Sequence, residues 1–242
     1  MKVLRFIVLL IALVAAVFLL VAGPGTRMEW WDFRFGFTLM RWALYGGAAA
    51  GVLGVILLLV PATRRGGTAV LLASILIGGA TAAVPLLQVQ NARSVPPIHD
   101  ITTDTTNPPE FVAIAPLRAE APNPVGYPGQ ETAEQQREAY PDIRTLQVDA
   151  WPAIVFEHAL ETARASGWEV IDADETEGRI EATATTFWFG FKDDVVIRIR
   201  GDDGGSAVDV RSKSRVGRSD VGANAARIEA YLEGLQARLQ SG

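Results

Sequence analysis

Three apolar stretches without a charged side chain, Phe6–Thr26, Trp42–Thr63 and Gly66–Ala92, occupy most of the first 92 residues. Roughly 20 apolar residues cross the hydrocarbon core of a bilayer. The stretches are therefore predicted to be transmembrane helices over about residues 4–22, 42–60 and 69–88, within a membrane domain spanning about residues 1–90. The rest of the chain must find its own core in water.

Charge follows the same division. Up to Gln88 the chain carries seven basic residues (Lys2, Arg5, Arg27, Arg34, Arg41, Arg64 and Arg65) and two acidic ones (Glu29 and Asp32), a balance of +5. The whole chain is −5, which leaves −10 for the remainder. An acidic domain lacks the basic field that sequence-independent nucleic-acid binding needs, so no nucleic-acid partner is expected. There is no cysteine, which excludes disulfides, thiolate metal sites and a thiol nucleophile.

Lys2 and Arg5 precede the first span, and Arg64 and Arg65 follow the second. Positive-inside bias places both groups in the cytoplasm, the Gly23–Arg41 loop outside, and everything after the third span outside. Arg27, Arg34 and Arg41 in the outer loop oppose this orientation without outweighing it. Val21-Ala22-Gly23 resembles a cleavage site, but the preceding apolar run is long for a signal peptide and Pro24 would follow the cut, so an uncleaved anchor is expected. The outer loop is crowded with rings (Trp30, Trp31, Phe33, Phe35, Phe37), as the membrane–water interface favours.

Gly47 and Gly51 form a GxxxG pair on the second span, and Ser74, Gly78 and Ala82 share a face of the third. Such faces let helix backbones approach closely. They suit either packing among the chain's own helices, which is favoured, or a seam in a larger membrane complex.

Ten of the thirteen prolines fall between Pro96 and Pro152. Proline removes amide donors and fixes φ, which disfavours regular helix and interior strand there. Thr132–Ala139 is the exception, a short helix ended by Pro141. Residues 91–145 are read as an arm whose apolar side chains (Ile98, Ile101, Phe111, Val112, Ile114, Leu117) suit wrapping along a core formed by residues 146–242.

In that core, Pro152 suits a first helical turn, Phe156, Ala159, Leu160 and Ala163 form a buried stripe, and Gly167 marks the stop. Strands are predicted at Trp168–Asp172, Arg179–Phe191, Asp194–Arg200 and Ala207–Val216, with the loop Gly201-Asp-Asp-Gly-Gly-Ser closing the last hairpin. Ser219 or Asp220 caps a final helix bearing Ile228, Leu232, Leu235 and Leu239. The predicted fold class is α+β: three transmembrane helices, then a four-stranded antiparallel sheet with two helices on one face.

The last hairpin permits a register argument. Facing Ile199 with Val208 aligns the inward sets of both strands, sets Arg198 opposite Asp209 and sets Asp194 opposite Lys213; a one-residue slip would turn one set to solvent. Arg211 and Arg215 are left unpaired in this register. With Arg200 and Arg218 they are candidates to hold an anion such as a lipid headgroup, against a simpler reading as a solvated strand face. Phe187, Phe189 and Phe191 lie on the face of the second strand opposite Ile180, Ala182, Ala184 and Trp188, so the strand is apolar on both faces, and the three rings are a candidate surface for an apolar ligand unless the arm covers it.

His99, Asp100 and Asp104 are the one place where a histidine sits beside carboxylates and hydroxyls. They are the candidates for acid–base or metal-assisted chemistry, although no zinc or EF-hand spacing is met and turn formation explains the same residues. Asp172-Ala-Asp-Glu-Thr-Glu-Gly lacks the glycine and distal glutamate of a calcium loop and reads as a turn. No metal or cofactor is expected, and no GxSxG, Walker or HExxH motif occurs.

Four blocks recur in order: Pro96-Pro-Ile-His-Asp-Ile-Thr-Thr-Asp-Thr, Gln136-Arg-Glu-Ala-Tyr-Pro-Asp-Ile, Phe187-Trp-Phe-Gly-Phe-Lys-Asp-Asp-Val-Val-Ile-Arg, and Val208-Asp-Val-Arg-Ser-Lys-Ser-Arg-Val-Gly-Arg-Ser-Asp-Val-Gly-Ala-Asn-Ala. They resemble the domain-of-unknown-function family 1499 across nearly all of Ser94–Leu239. Three leading spans resemble the arrangement in many bacterial members, which implies the bacterial inner membrane. The resemblance carries no activity, cofactor or ligand with it. The expected role is binding of a lipid-like ligand or partner protein in the cell envelope. A metal-assisted envelope hydrolase and a structural subunit of a membrane complex are the alternatives.

Overall fold

The computed structural model describes residues 2–202 and 204–241; Asp203, in the predicted hairpin loop, lies outside the described residues. Two compact units are present. One comprises the chain up to Arg93 together with Phe187–Gly190, and the other comprises Ser94–Thr186 and the chain from Phe191.

The first unit contains three helices long and apolar enough to cross a membrane: α1 (Lys2–Arg27), α2 (Phe33–Leu59) and, after the single turn α3 (Pro61–Arg64), α4 (Thr68–Ser94). The link between the first two helices is shorter than predicted. The Asp32 carboxylate accepts from the N–H of Arg34 at 2.9 Å and starts α2 at once, so Arg34 and Arg41 lie on the helix rather than in a loop. Val8, Ala12 and Ala50 form the small core of this unit, with Ile11, Leu57 and Ile77 against it. The GxxxG face is used within the chain. A Cβ on Gly47 would fall 2.6 Å from the carbonyl oxygen of Gly78, and one on Gly78 equally close to that of Gly47. Only glycine at both positions lets α2 and α4 approach this closely.

The second unit is built on one antiparallel sheet: β1 (Asp100–Thr102), β2 (Leu146–Val148), β3 (Glu169–Asp174), β4 (Arg179–Thr185), β5 (Lys192–Asp202) and β6 (Gly205–Ser214), in the order β1-β6-β5-β4-β3. The strand count corrects the prediction of four. β1 and β2 share the outer edge of β6, opposite Arg211–Lys213 and Ser206–Val208 respectively. Each has three residues, too few for a period-2 pattern to register among the prolines. A second correction concerns β4, which stops at Thr185, so Phe187–Phe189 form a turn rather than strand. The N–H of Phe191 donates to Thr186 Oγ1 and that of Thr186 to the Phe191 carbonyl, both at 2.9 Å, closing that turn.

The β5–β6 register matches the prediction residue for residue: Ile199 faces Val208, Arg198 faces Asp209 and Asp194 faces Lys213. Ile180, Ala182, Val195, Ile197, Ile199, Val208 and Val210 point to one face and share a core with α6 (Pro152–Ala165) and α7 (Ala223–Ser241). α6 starts at Pro152 and is followed by Gly167 at φ +75°, as the sequence signals. Asp220 accepts from the N–H groups of Gly222 and Asn224 where α7 begins, and Ile228 and Leu235 are fully buried on it. Gln130–Ala139 forms α5, the short helix expected within the proline-rich segment.

Candidate functional site

The other face of the sheet is alternately charged. Arg179, Glu181 and Thr183 on β4, Asp194, Val196 and Arg198 on β5, and Asp209, Arg211 and Lys213 on β6 share it by register. Residues 103–127 lie over it. Phe111 and Ile114 pack on Val196, and the buried Glu181 carboxylate accepts from the N–H groups of Val112 (2.8 Å), Ala113 (3.1 Å) and Ile114 (2.8 Å). A carboxylate taken out of water requires such donors. Glu181 thus clamps the backbone that covers it, a role no motif announces.

Arg211 and Arg215 are paired, which corrects the expectation that they are free. Arg211 grips both oxygens of Asp100, at 3.0 and 2.9 Å, and donates to the carbonyls of Pro109 and Val125. Its guanidinium lies 5.0 Å from the Phe111 ring centre and 5.5 Å from that of Tyr127. Lys213 Nζ donates to Asp100 at 2.8 Å and to the Gly126 carbonyl. Arg215 holds both oxygens of Asp194, at 2.9 and 2.8 Å, and Arg118, from the covering segment, reaches the same carboxylate at 3.1 Å. Four cations therefore share two buried carboxylates, and main-chain carbonyls take further donors of Arg118, Arg211 and Lys213. Burial lowers the Lys213 pKa while Asp100 opposes it, and burial raises Tyr127 to about 12. The Tyr127 hydroxyl is buried without a partner.

Arg198 pairs with Asp209 at 2.8 Å as the register implied, and Arg200, half-exposed, joins the same carboxylate at 2.7 Å. Arg218 is exposed at the surface of the loop before α7. The four candidate arginines are thus not gathered around one opening. Two shallow clefts of about 430 and 440 Å³ in this unit are lined by other residues, around Gln147–Asp149 and around Asp142–Leu146.

His99, Asp100 and Asp104 also go separate ways. Asp100 is spent on Arg211 and Lys213, while Asp104 binds Arg198 at 3.1 Å and accepts from the N–H groups of Thr106 and Asn107. His99 Nδ1 lies 3.4 Å from the Arg218 carbonyl, and burial lowers its pKa. Among the described residues no three His, Asp or Glu side chains are grouped to hold a metal. Residues of all four sequence blocks nevertheless meet at this corner. The Ile98 carbonyl accepts from the Asp220 N–H, the His99 carbonyl accepts from Asn224 Nδ2, and the Tyr140 hydroxyl lies 3.5 Å from where a Gly222 Cβ would sit. Arg227 binds Asp193 at 2.6 Å and Ser212 at 2.9 Å, with Asn224 also in reach. Burial, and the charges of Asp220 and Glu229, raise the pKa of Tyr140. Val221, between Asp220 and Gly222, sits at φ +57°, a conformation costly for a β-branched residue that these bonds hold in place.

The aromatic turn belongs to the first unit. The Phe189 ring lies tilted against that of Phe37, centroids 5.2 Å apart, the Trp188 indole lies so close over Gly23 that a Cβ there would come within 2.0 Å of it, and Arg27 donates to the Phe187 carbonyl at 2.6 Å. Trp31, in the link between α1 and α2, meets Phe35 of α2 edge-on, and Trp30 meets Trp31 in the same way. Phe187 itself is 85% exposed. Phe191, at the entry to β5, belongs to the second unit.

Three apolar helices followed by a six-stranded antiparallel sheet with two helices on one face define a membrane-associated α+β protein. The sequence profile described as "Protein of unknown function (DUF1499)" matches residues 100–235, and the chain belongs to that family. Comparison with curated proteins gives no significant match.

Proposed function

We propose that this is a multi-pass protein of the bacterial inner membrane, with its N-terminus in the cytoplasm and its acidic domain outside, that binds a lipid-like ligand through the aromatic turn Phe187–Phe189. The carrying observation is the turn itself. Phe189 and Trp188 are anchored among rings and glycines of the membrane helices while Phe187 is left 85% exposed. An exposed ring fixed beside interfacial tryptophans is well placed to meet acyl chain or headgroup boundary. The arginines support this reading by subtraction, since Arg211 and Arg215 are already neutralised by Asp100 and Asp194 and have little left for an anion. The hydrolase alternative has no comparable support, because Asp100 and Asp104 are held by cations.

Native mass measurement of the protein, extracted from its own membrane in mild detergent, tests the proposal. Wild type and Phe187→Trp are expected to carry bound lipid, and Phe187→Ser to lose most of it while keeping its melting temperature. Lipid retained equally by Phe187→Ser would end the proposal, and so would a co-purifying protein in place of lipid. Orientation is tested by Glu175→Cys, a lone thiol in an exposed turn of a cysteine-free chain. A membrane-impermeant reagent should label it in cells with a permeabilised outer envelope; labelling only after lysis would invert the topology.

A further inference from the structure

Arg5 poses a charge problem, because among the described residues no carboxylate pairs with it. It is the fourth residue of α1, yet it is only 5% exposed. Its Nη2 donates to the Arg65 carbonyl at 3.0 Å, and its Nε is buried without a partner. The link between α3 and α4 is shaped around it, because a Cβ on Gly67 would fall 2.0 Å from Arg5 Nη1. A guanidinium is always protonated in a protein. The only acidic residues before Arg93 are Glu29 and Asp32, both beyond the opposite end of α1, and Asp32 pairs with Arg34. Arg64 and Arg65 bring two more positive charges to the Arg5 end, and no carboxylate accompanies them.

A buried cation without a counter-ion is unstable unless an anion arrives from elsewhere. At the end of a membrane-spanning helix, the anion in supply is the phosphate of a lipid headgroup, and basic pockets between helices on the cytoplasmic side are suited to it. We propose that Arg5, with Arg64 and Arg65, forms a binding site for the phosphate of an anionic phospholipid, with Gly67 leaving room for the guanidinium to turn into the link. The site lies in the membrane unit alone and stands independently of the aromatic turn.

The test is thermal unfolding of the full chain in detergent, with phosphatidylglycerol, phosphatidylcholine or inorganic phosphate added. Phosphatidylglycerol is expected to raise the melting temperature, and phosphatidylcholine is not. Arg5→Met should abolish the difference. Arg64→Gln and Arg65→Gln, on exposed side chains that leave the fold alone, should each weaken the apparent phosphatidylglycerol affinity about fivefold. Gly67→Ala, which leaves every charge in place, should weaken it as well. Equal responses to the two lipids in wild type, or an undiminished phosphatidylglycerol response in both Arg5→Met and the Arg64→Gln, Arg65→Gln pair, would overturn the proposal. A full response to inorganic phosphate alone would overturn the lipid assignment.

Discussion

The two faces of the sheet bury similar lengths of strand by opposite means. Under α6 and α7 the face is apolar, with Ile180, Val195, Ile197, Val208 and Val210 all at 0% exposure. Under residues 103–127 it is ionic, with Glu181, Asp194, Asp209 and Lys213 equally buried. The helices bring amphipathic stripes and gain from burial of apolar area. The covering segment is proline-rich and irregular, so its carbonyls and amides need partners that a sheet of isoleucines would not supply. Charged side chains provide them: Glu181 for amides, and Arg118, Arg211 and Lys213 for carbonyls. The lesson is that a row of arginines on a strand can be the means of holding down a loop rather than a surface for a ligand.

The faces should therefore fail differently. Asp194→Ala removes the shared partner of Arg118 and Arg215 and should cost about 3–5 kcal/mol, the largest effect expected, because buried cations remain unpaired; a loss under 1 kcal/mol by denaturant titration would mean that water reaches the network. Glu181→Gln keeps the shape but removes the charge from three amide bonds, and should cost about 1.5–3 kcal/mol while loosening residues 112–114 first in hydrogen exchange. Ile197→Val on the apolar face should cost about 0.5–1.5 kcal/mol with no such local loosening. Tyr127→Phe removes a buried hydroxyl that has no partner and should leave neutral-pH stability unchanged or slightly higher.

Tyr127 also gives the ionic face a pH signature. Its pKa of about 12 in the folded chain lies above its ordinary value of 10.0, so between these pH values the folded chain keeps a proton that the unfolded chain has lost. Stability falls as pH rises through that window, and Tyr127→Phe should flatten part of the fall in melting temperature.

Much of this architecture was readable beforehand where a pattern repeats. The three apolar helices follow from the length of uncharged apolar sequence, α6, α7 and the β5–β6 register follow from periodicity, and the register placed Arg198 against Asp209 correctly. What escaped were contacts between distant segments with no period. Asp194 does face Lys213 across the ladder, yet its carboxylate serves Arg118 and Arg215, while Lys213 turns to Asp100 on β1. Because β1 has three residues and carries no alternation, nothing in the sequence said that Asp100 would reach β6. Arg211 looked unpaired for the same reason. The aromatic run misled differently: ring content alone does not distinguish a two-sided strand from a turn, and Gly190 at φ +71° marks the turn.

The central claim is that ligand contact belongs to the aromatic turn and not to the candidate arginines, of which Arg211 and Arg215 serve the fold. A photo-crosslinking amino acid placed at position 187 and, separately, at the exposed position 218 tests it in native membranes. Lipid adducts at 187 and none at 218 are the predicted result; adducts at 218 with none at 187 would contradict it.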